Sequence, residues 1–119
     1  MVEQIKSSEI KIFIEKNPRT VLLDVRTQDE WNNVGKPVTG SLGIKTFFIT
    51  INEDPSFVQN IKKEISKDYK ILVMCAAGGR SALAANVLQD EGYNAYNVLD
   101  GFSGNGQDIG WKKTGLPTD

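Results

Sequence analysis

The stretch that decides the fold is ILVMCAAGGRS, residues 71–81. Its first four residues form an apolar run typical of a buried strand, and Cys75, the one cysteine of the chain, follows directly. Two glycines then let the backbone turn around the sulfur, and Ser81 is predicted to cap the next helix. Because loop amides in front of a helix N-terminus favour an anion, the stretch predicts a stabilised Cys75 thiolate.

Strands and helices are predicted to alternate on both sides of this stretch. The predicted strands are 21–25, 71–74 and 95–99, and residues 44–51 form either a strand or an extended connection. Helices are predicted to begin at Ser8, at the Thr27–Glu30 capping box, at Asp54-Pro55 and at Ser81. The region 35–43 is loop-like. This alternation predicts an α/β fold with a parallel sheet.

Length and composition predict one domain over residues 1–119, large enough to bury a core without disulfides. The formal charge of −1, from 14 basic and 15 acidic residues, gives no reason to expect a nucleic acid or a membrane as partner. The N-terminus lacks the apolar stretch of a secretory signal, and no apolar run approaches the roughly 18 residues that span a bilayer. A soluble, cytoplasmic protein is therefore expected.

The chain contains no histidine. Cys-His dyads, Ser-His-Asp triads and histidine metal sites are therefore excluded, and with one cysteine a zinc site is not expected either. We expect no metal and no cofactor. Any chemistry must use the thiolate, arginines, carboxylates, hydroxyls and backbone amides.

Cys75 has two interpretations at this point. A free cysteine is often a small buried core residue. Gly78 and Gly79 are hard to explain by packing alone, whereas Arg80 at the mouth of the loop fits an anion site. Arg80 could equally serve structure, with its guanidinium bonded to loop carbonyls or a carboxylate.

Several segments together resemble the rhodanese-like sulfurtransferases. The stretch Cys75-x-x-Gly78-x-Arg80-Ser81 is similar to their active-site loop. Leu23-Asp24-Val25-Arg26 with Glu30-Trp31 resembles their first motif, and the tail resembles theirs in VLDGF at 98–102, in Gly110-Trp111 and in Gly115-Leu116-Pro117. These matches are ordered along nearly the whole chain.

The resemblance implies a single rhodanese-like domain with three layers, a central parallel five-stranded sheet and helices on both faces. It implies thiosulfate:cyanide sulfurtransferase-like chemistry in which Cys75 takes a sulfane sulfur, becomes a persulfide and passes the sulfur on. The implied donor is a small sulfur-containing anion such as thiosulfate or a persulfide, and the implied acceptor is cyanide or a thiol, with a sulfur-carrier protein as a further partner. The implied substrate-binding residues are those of the loop: Ala76, Ala77, Gly78, Gly79, Arg80 and Ser81.

Loop length separates the related chemistries. Four residues lie between Cys75 and Arg80, one fewer than in cysteine-type phosphatases, so the ring of amides suits one sulfur atom better than a phosphoryl group. A small phosphatase or an arsenate reductase is thus a weaker alternative, and the latter also lacks a second cysteine. Asp24 is expected to brace the loop as an acceptor, and Arg26 is expected to pair with Glu30, four residues on.

Two departures from the family pattern matter. A Gly-His-Ile-x-Gly-Ala segment, which many members have, is replaced here by residues 35–43 without histidine. Ala76 and Ala77 stand where thiosulfate-using relatives often have basic residues, which favours a less polar donor or a persulfide carrier protein. These departures also leave open a non-catalytic rhodanese-like binding or regulatory module. Phe102 and Trp111 are expected to pack in the core, with lining of the site mouth as the alternative.

Overall fold

Two adjacent strands form the centre of the computed structural model, which describes residues 2–52 and 55–119. Strand β2 (Thr20–Asp24) is buried throughout, and strand β4 (Lys70–Met74) is buried from its second residue onward. The two strands run parallel and pair from Thr20 with Lys70 to Asp24 with Met74. A parallel sheet covered on both faces buries its central strands on both sides, which explains their continuous apolar sequences.

The sheet has five parallel strands in the order β1-β5-β4-β2-β3, where β1 is Glu3–Ile5, β3 is Lys45–Phe48 and β5 is Asn94–Val98. This confirms the parallel five-stranded sheet, and it assigns residues 45–48 to a strand. The residue pattern gave no sign of β1, because a three-residue edge strand with two exposed side chains has no apolar run.

Helices cover both faces of the sheet. They are α1 (Ile10–Lys16), α2 (Gln28–Asn33), α3 (Ser56–Glu64) and α4 (Gly79–Asp90). On one face α3 and α4 enclose a core that includes Val73 and Cys75. On the other face, α1 and the C-terminal segment enclose a second core, in which Leu72 and Met74 point away from the first. Cys75 therefore leaves the sheet toward α4.

The helix starts correct two predictions. The Thr27–Glu30 capping box is confirmed, with both reciprocal hydrogen bonds formed. Ser8 does not cap α1, because it lies inside a 3-10 turn at Ser7–Glu9 that precedes the helix. Ser81 does not cap α4 either, since that helix already begins at Gly79. The predicted cap at Asp54 lies outside the described residues.

The region 35–43 is a loop that contains one short 3-10 turn, Gly40–Leu42, and Pro37 forms an isolated bridge with Thr118. Phe102 and Trp111 are wholly buried, and the Trp111 Nε1–H donates to the carbonyl of Pro117 at 2.8 Å. Core packing is therefore the role of both aromatic side chains. Within residues 2–52 and 55–119, none of the helices has the length and apolar character needed to cross a bilayer.

Candidate active site

The sulfur of Cys75 lies at the floor of the loop that joins β4 to α4. Its residue is 1% exposed, whereas Ala77 and Gly79 are exposed and Ala76 is half-buried. The Gly78 N–H donates to Sγ at 3.2 Å, and the Ser81 hydroxyl lies 3.2 Å from the same atom. The thiol is therefore enclosed by polar groups on the protein side and covered by small residues toward solvent.

These polar groups determine the acidity of the thiol. Burial by itself raises the pKa of Cys75, because it disfavours the charged form. The hydroxyl of Ser81 and the backbone N–H groups of Ser81, Ala77 and Gly78 oppose burial, and together they hold the pKa of Cys75 below its ordinary value. A lower pKa means more thiolate, which is the nucleophilic form.

Position 78 requires glycine because Leu99, the residue that follows β5, approaches it closely. Its φ is +100°, and a Cβ built on it would lie 2.2 Å from the carbonyl oxygen of Leu99. Only glycine adopts this conformation without strain, and only glycine leaves room for that carbonyl. The glycine that the sequence predicts for this turn is therefore needed, and in this backbone conformation the Gly78 N–H points toward the sulfur.

A second turn, residues 99–103, holds the loop from behind. The N–H of Phe102 donates to the carbonyl of Cys75 at 2.8 Å, and the N–H of Ser103 donates to that of Ala76 at 2.9 Å. Gly101 makes this contact possible, since a Cβ there would lie 2.4 Å from the Ala76 oxygen. The VLDGF segment at 98–102 thus supports the loop that holds Cys75.

Ser81 contacts the sulfur from within α4, where it is the third residue and wholly buried. Its hydroxyl also donates to Oδ1 of Asn97, on β5, at 2.5 Å. The Asn97 Nδ2 in turn donates to the carbonyl of Gly78 at 3.1 Å. Sequence reasoning missed Asn97, and the available signal was a polar residue inside the apolar run 95–99.

Arg80 lies beside the loop and binds Glu30 of α2 through both guanidinium NH2 groups, at 2.7 and 2.8 Å. The Arg80 hydrogen bonds are the main cause that lowers the pKa of Glu30 to about 2, and the Glu30 carboxylate likewise raises the pKa of Arg80. The expected pairing of Arg26 with Glu30 is therefore wrong. Arg80 contributes a charge that Glu30 already balances.

Arg26 instead pairs with Asp24 beneath the site. Both side chains are 0% exposed, and the guanidinium binds the carboxylate through Nε at 3.0 Å and through NH2 at 2.9 Å. The same NH2 group donates to the carbonyl of Gly35, and the guanidinium stacks 4.2 Å from the Phe102 ring centre. The predicted role of Asp24 as a direct brace of the loop is wrong, because its hydrogen bonds go to Arg26.

The assembled site therefore has one reactive atom, a set of hydrogen-bond donors around it and a mouth lined by small residues. A Cβ at Gly79 would meet no atom within 4 Å, so space is open beside the start of α4. Such a site can stabilise a sulfur anion.

Comparison with known proteins agrees with this architecture. A model of the rhodanese-like domain family matches residues 8–106. The uncharacterized protein RP600 of Rickettsia prowazekii is 38% identical over 120 residues, which cover 98% of this chain and 97% of the relative. Thiosulfate sulfurtransferase 16, a chloroplastic protein of Arabidopsis thaliana, is 29% identical over 81% of this chain and 77% of its own length.

The crystal structure of Rv0390 from M. tuberculosis superimposes with a TM-score of 0.84 at 31% sequence identity, covering 99% of this chain and 97% of that one. The family match includes strands β2 to β5, the cysteine loop and α4, and the superposition covers nearly the whole chain. The chain belongs to the rhodanese-like domain family.

Proposed function

We propose that this protein is a sulfurtransferase in which Cys75 carries a sulfane sulfur as a persulfide. The observation that carries the proposal is the set of polar contacts at one atom: the Gly78 N–H donates to Sγ at 3.2 Å, the Ser81 hydroxyl lies 3.2 Å from it, and the pKa of the thiol is lowered. Sulfur transfer to a thiolate needs no general base, which fits a chain without histidine.

The reaction balances without an added oxidant or reductant. The Cys75 thiolate attacks the outer sulfur of the donor, an Sγ–S bond forms, and the S–S bond of the donor breaks with its electron pair on the leaving sulfite or thiolate. An acceptor thiolate or cyanide then attacks the outer sulfur of the persulfide, and Sγ leaves as a thiolate. Hydrogen-bond donors that already point at Sγ stabilise its negative charge both when it attacks and when it leaves.

The charge around the site favours a persulfide as donor over thiosulfate. Ala76 and Ala77 carry no charge, and the Arg80 guanidinium forms a bidentate ion pair with the Glu30 carboxylate. A dianion such as thiosulfate would gain little from a cation whose charge is already balanced. The donor class we infer is the persulfide of a small thiol or of a sulfur-carrier protein.

The two alternatives fit the geometry less well. Phosphoryl transfer needs a cation free to hold the equatorial oxygens, and the Arg80 guanidinium is committed to a carboxylate. A binding module without turnover has no use for a thiol with a lowered pKa, although the neutral loop is compatible with it.

The test is mass spectrometry of the intact protein after incubation with glutathione persulfide, with thiosulfate and with no donor. We expect a mass increase of one sulfur on Cys75 with the persulfide, and its loss when cyanide is added, with thiocyanate as product. Cys75→Ser should show neither.

A matched control keeps the loop and blocks only the sulfur: wild-type protein alkylated at Cys75 before the donor is added. If Cys75 remains open to alkylation but gains no sulfur from either donor, the sulfurtransferase proposal is wrong, and the binding module becomes the better description.

A further inference from the structure

Behind the sulfur, the single hydroxyl hydrogen of Ser81 has two acceptors within reach. Ser81 Oγ lies between two acceptors, the Cys75 sulfur at 3.2 Å and Oδ1 of Asn97 at 2.5 Å. A hydroxyl carries one hydrogen and can donate it to one of them at a time. Ser81 can therefore donate a hydrogen bond to the sulfur only while it does not donate to Asn97.

The orientation of the Asn97 amide is fixed by its other contacts. Its Nδ2 lies 3.1 Å from the carbonyl oxygen of Gly78, which can only accept, and 2.8 Å from Oε1 of Gln4. The NH2 group must therefore face these oxygens, and Oδ1 must face Ser81. Asn97 is 1% exposed, so water does not replace the Ser81 proton readily.

While Cys75 is a thiol, every group is satisfied: S–H donates to Ser81 Oγ, and the Ser81 O–H donates to Asn97. When the S–H proton leaves for solvent, the thiolate has no hydrogen to donate and needs the Ser81 proton. If Ser81 turns to the sulfur, Asn97 Oδ1 is left facing an oxygen without a donor. Leaving a buried acceptor unpaired is costly.

We propose that Asn97 is a positioning residue that competes with the Cys75 thiolate for the single hydroxyl proton of Ser81 and so decides when that proton stabilises the sulfur. In the persulfide the charge lies on the outer sulfur, and the Ser81 proton returns to Asn97. This deepens the proposed function and rests on it for its biological meaning, but the competition itself concerns the ionisation of Cys75 alone.

The experiment measures the rate of Cys75 alkylation by iodoacetamide against pH, without any sulfur donor. Asn97→Leu frees Ser81 for the thiolate, and one charge-assisted hydrogen bond increases ionisation by about tenfold. The less basic thiolate is roughly threefold less nucleophilic, so alkylation below the midpoint should be about threefold faster. Asn97→Asp, of the same size, presents a stronger acceptor to Ser81 and should slow alkylation.

The double variant separates this competition from loop support. Both Asn97 variants lose the Nδ2 contact with Gly78, so a purely structural role predicts the same direction for both. In a Ser81→Ala background, Asn97→Leu should leave the alkylation profile unchanged, since no proton remains to compete for. Gln4→Leu, which leaves the Ser81–Asn97 contact intact, should match wild type.

Apart from the carboxyl group that Asn97→Asp adds, which itself repels the thiolate, the surrounding charged groups are the same in every protein compared. They are Arg80 on α4, Glu30 on α2, Asp24 and Arg26 beside β2, and Asp100 after β5. A shift between wild type, Asn97→Leu and the Ser81→Ala variants therefore reports on Ser81 and Asn97 alone. If Asn97→Leu alters alkylation equally with and without the Ser81 hydroxyl, or if both Asn97 variants move it in one direction, the proposal is overturned. Persulfidation by mass spectrometry is scored separately, so failure there affects only the sulfurtransferase proposal.

Discussion

The carbonyl oxygen of Leu99 occupies the place where a side chain at Gly78 would begin, 2.2 Å from a Cβ built there. Gly78 thus lets the loop that holds the sulfur pack directly against the end of β5. At the same residue, a left-handed φ of +100° accompanies the hydrogen bond from the Gly78 N–H to Sγ at 3.2 Å.

Gly78→Ala should therefore destabilise the fold. An alanine at this φ costs about 1 to 2 kcal/mol, and the displaced Leu99 carbonyl adds to it, so we expect a loss of about 3 kcal/mol in the free energy of unfolding. Urea denaturation measures the loss. The matched control is Gly79→Ala, whose Cβ would meet open space and whose residue is helical, so its stability should stay within about 1 kcal/mol of wild type. Equal losses in both variants would contradict this account.

The buried pair of Asp24 and Arg26 should be costly to break from one side. Asp24→Asn removes the charge that balances a guanidinium with no exposed surface, and we expect a loss of about 3 to 5 kcal/mol in unfolding free energy. Asp68→Asn breaks the exposed pair with Arg19 and should change stability by less than about 0.5 kcal/mol. Chemical denaturation of both variants beside wild type tests the contrast, and similar small effects would show that the buried guanidinium finds another partner.

The ion pair of Glu30 and Arg80 should make part of the free energy of unfolding depend on pH in the acidic range. The pKa of Glu30 is lowered from 4.5 to about 2, chiefly by Arg80, so the folded state holds this proton less tightly than the unfolded state. The contribution is full above pH 4.5 and disappears as the pH falls through about 2. Because the pair is partly exposed, we expect about 1 kcal/mol at neutral pH.

The measurement compares wild type with Glu30→Gln, which keeps the acceptor of the capping box. Their difference in unfolding free energy should be constant from neutral pH to about 4.5 and should vanish near pH 2. Glu91→Gln, at an exposed pair with Lys62, serves as control and should show much less of this dependence. A wild-type advantage that persists at pH 2 would have to come from something other than the Glu30 charge.

The parts of the fold that the sequence predicts are those encoded by local patterns. The apolar run at 71–74 and the Thr27 capping box each carry their own signal, and both elements are confirmed. β1 and the pairing of Arg80 with Glu30 join residues far apart in the chain, so no spacing rule reveals them. The family resemblance supplied the fifth strand, which the residue pattern did not.

The site shows the same division. Cys75 and Gly78 could be predicted, because a lone thiol and a glycine beside a strand end are local features. Asn97 is marked only as a polar residue inside the apolar run 95–99, and its role could not be predicted because it depends on the register that places β5 beside β4 and α4. Arg26 with Glu30 was the wrong pair for a related reason: spacing along a helix does not apply to Arg26, which precedes α2 and is buried against Asp24.

Donor choice should follow the charge of Arg80. In Glu30→Gln the guanidinium is no longer balanced, so a dianion at the mouth of the loop gains an attraction of about 1 kcal/mol, equal to roughly fivefold in affinity. We expect KM for thiosulfate to fall about fivefold, with the gain weakened by salt. KM for an uncharged donor such as an organic trisulfide should stay nearly constant. Arg80→Gln leaves the Glu30 carboxylate unbalanced and should raise KM for thiosulfate instead. Steady-state thiocyanate formation with both donors measures these constants, and an unchanged thiosulfate KM in both variants would show that this ion pair does not select the donor.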